Sequence, residues 1–416
     1  MTSELSTKLT SEQEKHLSAL LKTKEGLAAS TVLQQLKASG FEAYFAGGCV
    51  RDLLLERVPQ DYDIASNATP EEVEALFPKT VAVGKQFGII VVIFDGIEVE
   101  VARFRGEAEY KDGRHPDKVF FSDAKEDALR RDFTMNALFL DLHSLQILDF
   151  VGGLKDIRLR LLRAVGNPIA RFDEDHLRIL RALRFVSQLG CHLEPSLENA
   201  ICEKVDLVQN VSRERFFAEW DKLLHGKNSK AVLKWMLEKN NLDRFFPGLA
   251  AKSDQLARCF YPEVQVWVSF WVWLFESGSS ESALLAVWKG LRASKDWLQT
   301  METGLSWFFK KDAFAEMELG EVIELSYQRG YHSGLLLWIR LQKQEQNPKT
   351  ISYQSRRKKW GEALPLPFLR GEDLNKYCQG PELGRQLKRC FWAQLEGKLQ
   401  SKEEALGFAL KGIGKR

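Results

Sequence analysis

The chain is poor in cysteine. Six residues out of 416 are scattered at 49, 191, 202, 259, 378 and 390, with no CxxC pair and no Cys/His spacing of a metal knuckle. Such thiols read as reduced and mostly packed, in a cytoplasmic protein. No apolar run reaches membrane-spanning length, so no membrane partner is expected; Val264 to Phe275 is too short and too aromatic, and reads as a buried helix. The opening MTSELSTKLTSEQEKHLSAL lacks the apolar core of a signal peptide, and its first residues are expected to fray. Neither sign of charge dominates: 59 Lys and Arg face 57 Asp and Glu, a formal +2. Affinity for nucleic acid therefore has to come from a local patch. Internal repeats and long low-complexity tracts are also missing, and nothing in the sequence fixes an oligomeric state.

The informative stretch is FAGGCVRDLLLERVPQDYDIASN, Phe45 to Asn67. Gly47-Gly48 lets backbone approach a phosphate closely, and N–H groups at a helix start favour anions. Arg51 adds a cation, and Leu53-Leu54-Leu55 reads as a helix turn. Asp61 and Asp63 sit at i and i+2 of a β-like segment and so aim two carboxylates at one point. Like charges that close call for a cation between them, and magnesium takes such oxygens together with substrate phosphates. A phosphate cradle and a metal pair this close in sequence point to nucleotidyl transfer. The plain alternative is a Gly turn followed by two solvated aspartates.

GGCVRDLLLERVPQDYDIA resembles the first motif of the class II tRNA nucleotidyltransferase and bacterial poly(A) polymerase family, within the DNA polymerase β superfamily. The likeness is strong to about residue 220 and weaker beyond. The family usually has Gly where this chain has Glu56. The resemblance implies an α+β fold: a nucleotidyltransferase head with a small mixed sheet and helices, followed by an all-α neck, body and tail. The expected divisions are an N-terminal helical segment (1–40), the catalytic head (41–160), a base-selecting neck (161–226), a body (227–345) and a tRNA-binding tail (346–416). Composition agrees. Helical apolar period runs from Ser11 to Ser39 and stops at Gly40. Short β-rich runs (FEAYFA, YDIAS, TVAV, GIIVVIF, IEVEVARF, KVFF, ALFLD, LQILDF) fill 41–150 as one sheet, with Asp95-Gly96 a hairpin turn. Helix period dominates from about 165.

In IEVEVARFR, Glu98 and Glu100 share one face; Glu100 resembles the position of a third active-site carboxylate, the alternative being a surface Glu. The polar segment Arg105 to Val119 reads as a loop, which in the family is flexible and serves the switch from adding C to adding A; a merely solvated loop fits its composition equally well. Arg130-Arg131-Asp132-Phe133-Thr134-Met135-Asn136 matches the family's RRDFTxN motif. Its arginines suit a triphosphate, with Asp132 fixing a guanidinium and Asn136 donating to ribose or phosphate. The Gly152-Gly153 pair resembles a DxxGGxxDL turn with a structural or hinge role. Glu174-Asp175-His176-Leu177-Arg178 matches EDxxR, and Asp175, Arg178, Arg181 and Arg184 are expected near one helix face. Asp175 would accept from the amino group of cytosine or adenine and Arg178 would donate to the adjacent ring nitrogen, leaving Arg181 and Arg184 for phosphate. Ser212 is expected to cap the SxERI-like helix. The tryptophan-rich segment from 267 to 307 reads as core, and the basic stretches at 356–359 and 385–389 as charged helix faces or an RNA track.

The expected activity is template-independent addition of CCA to tRNA from CTP and ATP, with Mg²⁺ at Asp61 and Asp63. Nucleotide-binding residues are Gly47, Gly48, Arg51, Asp52, Arg131, Asp132, Asn136, Asp175, Arg178, Arg181 and Arg184. The partner is tRNA at its acceptor end and elbow. The alternatives are a bacterial poly(A) polymerase, an enzyme adding only the terminal A, and a catalytically inactive RNA-binding protein. Val83-Gly84-Lys85-Gln86-Phe87-Gly88 lacks the more basic sequence of the polymerase branch. No His-Asp dipeptide occurs, so an appended HD phosphohydrolase domain is not expected.

Overall fold

The computed structural model describes the chain except residues 1–5, 86–87, 111–115, 291–293, 310, 362 and 414–416; at 83–84, 107–110, 116–121 and 311–312 the backbone alone is described. Two compact units emerge, Met1–Val232 and Leu233–Arg416.

In the first unit the strands are β1 (Ser6–Lys8), β2 (Ala43–Ala46), β3 (Ile64–Ser66), β4 (Thr80–Gly84), β5 (Ile89–Phe94), β6 (Ile97–Arg103), β7 (Arg105–Tyr110), β8 (Pro116–Phe121), β9 (Leu138–Asp141) and β10 (Gln146–Asp149), with a separate parallel pair, β11 (Leu161–Leu162) and β12 (His192–Leu193). Eight of them form a mixed sheet in the order β1-β10-β9-β2-β3-β6-β5-β4. Only β3 and β6 run parallel in it, Ile64 facing Val101. The β5–β6 turn has Asp95 at φ 49° and Gly96 at φ 81°, the two left-handed residues of a type I′ hairpin.

Two features were not expected. Ser6–Lys8 pairs with Gln146–Leu148 as an edge strand, while the first five residues, expected to fray, lie outside the described residues. Arg105 to Val119 is not simply a loop: β7 and β8 form their own antiparallel hairpin, Arg105 opposite Phe121. Alternation in RGEAEY was masked by its charge, and the hairpin tip falls outside the described residues.

The helices of this unit are α1 (Ser11–Leu20), α2 (Lys24–Ala38), α3 (Gly48–Leu54), α4 (Pro70–Leu76), α5 (Ala124–Leu129), α6 (Gly153–Arg158), α7 (Pro168–Glu174), α8 (Leu177–Leu189), α9 (Pro195–Lys204) and α10 (Arg213–Leu224). Helix α3 ends with Glu56 at φ 55°, while the Arg57 N–H reaches Asp52 O at 2.8 Å. This is the bond pattern of a Schellman motif, whose left-handed residue is usually Gly. Glu there costs about 1 kcal/mol of backbone strain. Replacing Glu56 by Gly should therefore raise the melting temperature by about 1–3 °C, after the greater chain entropy of unfolded Gly is discounted. A lower melting temperature would show that the Glu56 side chain contributes more than the strain.

Gly152 is left-handed (φ 84°), and Asp149 accepts from the N–H groups of Gly152, Gly153 and Leu154 at 2.8, 3.0 and 2.9 Å. A Cβ on Gly153 would stand 2.2 Å from Thr134 O, so this turn packs structurally. Ser212 is the N-cap residue of α10, but its side chain makes no capping bond, contrary to expectation.

The second unit is helical from α11 (Ser229–Glu238), which spans the boundary, to α22 (Lys402–Ile413). Helix α14 (Val266–Glu276) buries every residue from Trp267 to Leu274. Trp271 and Trp273 are fully buried and Trp288 and Trp307 nearly so, which makes this cluster core rather than a stacking platform. The basic stretches lie on α19 (Pro348–Trp360) and α21 (Gly380–Leu395). Among the described residues no helix is long and apolar enough to cross a membrane.

Candidate active site

A cavity of about 780 Å³ in the first unit gathers every site residue expected from sequence: Gly47, Gly48, Arg51, Asp52, Asp61, Asp63, Glu100, Arg131, Asp132, Asn136, Asp175, Arg178, Arg181 and Arg184. That volume lies within the range of small-molecule sites.

Its floor is the β2–α3 turn. Gly47 adopts φ 73°, ψ −123°, a conformation essentially open only to Gly. A Cβ there would also lie 2.8 Å from Arg131 Nη1. Asp61 to Asp63 precedes β3 rather than belonging to it. The alternation still holds: Tyr62 is buried against the Phe45 ring at 5.6 Å, and the aspartates on either side face the cavity. Glu100 reaches it from β6, with Val99 and Val101 buried on the opposite face. Burial pushes the Asp63 carboxyl above its ordinary range; Arg131 opposes this and Asp61 adds to it. Glu100 is raised likewise, by burial first and then by Asp63 and Asp61. These carboxylates therefore sense one another.

The donor set is oxygen only, which fits a hard divalent cation. Among the described residues no three His, Cys, Asp or Glu side chains stand close enough to cage a metal alone.

Across the cavity, polar groups link the head to the helices that follow. Arg51 is held by Asp52 at 2.9 Å and donates to Asn136 Oδ1 at 2.7 Å. Asn136 donates to Asp132 Oδ1 at 3.1 Å, and Arg181 grips Asp132 Oδ2 through Nε and Nη2 at 2.8 and 2.6 Å. Arg184 Nε lies 2.9 Å from Glu219 Oε2. The ring of Phe185 lies beneath three guanidiniums, those of Arg184, Arg51 and Arg181 at 4.0, 5.1 and 5.4 Å.

Several assigned roles change with this geometry. Asp132 does not fix Arg131. That role falls to the buried Asp127, which binds Arg130 at 2.6 Å and Arg131 at 2.9 Å. Burial alone would raise Asp127, but Arg131 and Arg130 outweigh it and hold the carboxyl low. Arg181 and Arg184, expected at phosphate, are paired to Asp132 and Glu219. Asn136, expected at ribose or phosphate, bonds Arg51 and Asp132. Asp175 is not on the face of α8; it caps the break between α7 and α8, accepting from Leu177 N–H at 3.1 Å and from Arg215 at 2.8 Å. Arg178 pairs with Glu174 and donates to the Arg171 and Arg130 carbonyls at 3.2 and 3.3 Å. Asp127 was open to discovery as an i,i+4 partner of Arg131. Glu219 and Arg215 were not, because only the packing of α10 on α8 brings them there.

Asp132 gives a test in acid. Burial would raise it, yet Arg181, Asn136 and Arg178 pull it down to about 2. A depressed carboxyl contributes stability that is complete above its unfolded value near 4 and lost as pH falls toward 2. Wild type should thus lose stability more steeply than Asp132→Asn between pH 4 and 2, by about one proton's worth of slope. Equal slopes in urea titrations across that window would refute the pairing.

A Gly-led anion cradle beside paired carboxylates, on a mixed sheet with helices, defines a nucleotidyltransferase. Residues 43–163 match the family described as "Poly A polymerase head domain", and 190–253 match "Probable RNA and SrmB- binding site of polymerase A". The chain is 37% identical over 396 residues to the CCA-adding enzyme of Bacillus licheniformis, covering 91% of this chain and 96% of that one. It is 46% identical over 226 residues to the CCA-adding enzyme of Geobacillus stearothermophilus, 54% and 55% of the two chains. The crystal structure of the Bacillus stearothermophilus CCA-adding enzyme in complex with CTP superposes with a TM-score of 0.73 at 31% identity, over 94% of this chain and 98% of that one. The fold is shared with the Thermotoga maritima CCA-adding enzyme complexed with tRNA, at TM-score 0.68, 19% identity and 99% and 100% coverage. The chain belongs to the CCA-adding enzyme family, whose nucleotidyl transfer uses a divalent metal.

Proposed function

We propose that this protein adds C, C and A in turn to the 3′ end of tRNA, taking CTP and ATP and releasing pyrophosphate. The observation that carries this reading is the convergence of Asp61, Asp63 and Glu100 with Asp175 and Arg178 in one cavity. The RNA's 3′ oxygen forms a bond to the α-phosphorus as the bond to the pyrophosphate oxygen breaks. Asp61 and Asp63 would hold Mg²⁺, with Glu100 as a third carboxylate. When bound, Mg²⁺ supplies positive charge for the reacting oxygens and the departing pyrophosphate. The Gly47-Gly48 backbone, Arg51 and Arg131 grip the triphosphate, Arg131 being preset by Asp127. Asp132, Asn136 and Arg181 brace this grip through the chain of bonds above, and Arg184 stands beside it in an ion pair with Glu219.

Asp175 and Arg178 select the base. Each Asp175 oxygen accepting one bond keeps a second lone pair, and Arg178 Nε donates to none of its three partners. In this reading 41–160 is the catalytic head, 161–226 the base-selecting neck, 227–345 the body, and 346–416 a tail that meets the tRNA elbow. The protein would work in the cytoplasm, and its six cysteines are all free.

The test supplies tRNA lacking CCA, CA or A with CTP and ATP. Three added nucleotides and no ladder are expected on the first. A ladder of A on unrelated RNA would point to poly(A) polymerase, and A added only after CC to a partial enzyme. Gln86 and Phe87, in the segment that bears on the first of these, lie outside the described residues.

A further inference from the structure

The cations around the cavity differ in how they are neutralised. Those at its centre face carboxylates: Arg51 with Asp52, Arg131 with Asp127, Arg178 with Glu174, Arg181 with Asp132, Arg184 with Glu219. Arg57, Lys222 and Lys227 line the same cavity where α8 ends against α10. None of these three has a carboxylate partner among the described residues; Arg57 donates to the Gln188 carbonyl at 3.1 Å. The nearby acids on these segments are Glu56, next to Arg57, and Asp221, which stands 3.3 Å from His225.

The rim is also held rigidly. Asn228 donates through N and Nδ2 to Ser187 O at 3.0 and 3.2 Å, and Ser187 Oγ donates to Leu223 O at 2.6 Å. A Cβ on Gly226 would lie 2.1 Å from Ser187 Oγ, so the turn after α10 sits directly on α8. Lys222, on α10, and Lys227, in the turn after it, flank that contact and are therefore held against α8, the helix that bears Arg178, Arg181 and Arg184.

We propose that Arg57, Lys222 and Lys227 receive the sugar-phosphate backbone of the RNA just upstream of its 3′ end, so that the strand enters the cavity over the end of α8. The inference rests on the proposed function and adds the place where the RNA enters. Unneutralised cations on a fixed turn suit a polyanion, whose binding there releases counterions. The inner arginines, already paired, suit a ligand that needs placed hydrogen bonds more than net charge.

The test titrates the full-length protein with fluorescent tRNA lacking CCA, without nucleotide, and separately with CTP. Lys222→Gln combined with Lys227→Gln should raise the Kd for tRNA about tenfold. It should also lower the slope of log K against log salt by about 0.7 per lost contact, with CTP affinity unchanged. Arginine at both positions should restore binding. Weaker CTP binding with tRNA unaffected would assign the rim to nucleotide phosphates and overturn the proposal, as would no change in either. Wild type binding this tRNA no more tightly than an unrelated RNA hairpin would instead overturn the underlying functional reading.

Discussion

Alanine at Asp61 or at Asp63 is expected to slow nucleotide addition by about 10³-fold or more, with tRNA affinity nearly unchanged. The two carboxylates face one cavity from either side of the buried Tyr62, and both act on Glu100. Asp63 and Glu100 are raised by burial first and by the neighbouring carboxylates second, and a bound divalent ion would offset both. Loss of an ion that stabilises charge in the transition state costs several kcal/mol, and about 4 kcal/mol corresponds to the stated factor. The measurement is single-turnover addition of labelled CTP to tRNA lacking CCA, alongside tRNA binding. More than a few per cent of wild-type rate in both variants, with magnesium present, would sink the metal assignment. The raised Asp63 and Glu100 predict that Mg²⁺ raises the melting temperature of wild type more at pH 8 than at pH 5. A raised carboxyl destabilises the fold as pH climbs through its folded value, and the ion relieves that repulsion. Neither alanine variant should show the full response.

The second large effect concerns the choice of base. Asp175→Ala and Arg178→Ala should each lower discrimination against UTP and GTP by about tenfold or more. A hydrogen bond to a charged group is worth about 1.5–3 kcal/mol, and 1.4 kcal/mol is a factor of ten. Uracil and guanine present a carbonyl and a ring N–H where cytosine and adenine present an amino group and a ring acceptor, so both bonds reverse. The structure adds a control that the sequence did not offer. Arg215 orients Asp175 at 2.8 Å without belonging to the EDxxR motif, so Arg215→Ala should reproduce part of the Asp175 defect. Arg181→Ala should act differently, because Arg181 holds Asp132, and should weaken all four nucleotides alike. The comparison is kcat/KM for CTP, ATP, UTP and GTP in each variant. Uniform slowing by Asp175→Ala and Arg178→Ala would mean that these residues build the pocket without choosing the base.

What could be read from the chain alone followed from local rules. Alternating apolar residues announced the sheet strands, Asp95-Gly96 announced its hairpin, and period-3.6 patterning announced the helices after 165, because each depends on residues near in sequence. Gly47-Gly48 and Asp61-x-Asp63 were legible for the same reason: a turn conformation and a shared face are properties of a few consecutive residues. Ser6–Lys8 could not be read as a strand, since the strand it pairs with lies some 140 residues away. Which acid holds which guanidinium was equally out of reach. Arg181 chooses Asp132, Arg184 chooses Glu219 and Asp175 is met by Arg215, all through the packing of helices against the head and each other. The sequence by itself thus determined the chemical groups and the strands and turns that carry them. Tertiary structure alone decided their pairing, because Coulomb attraction and hydrogen bonding act over a few ångströms of space whatever the separation along the chain.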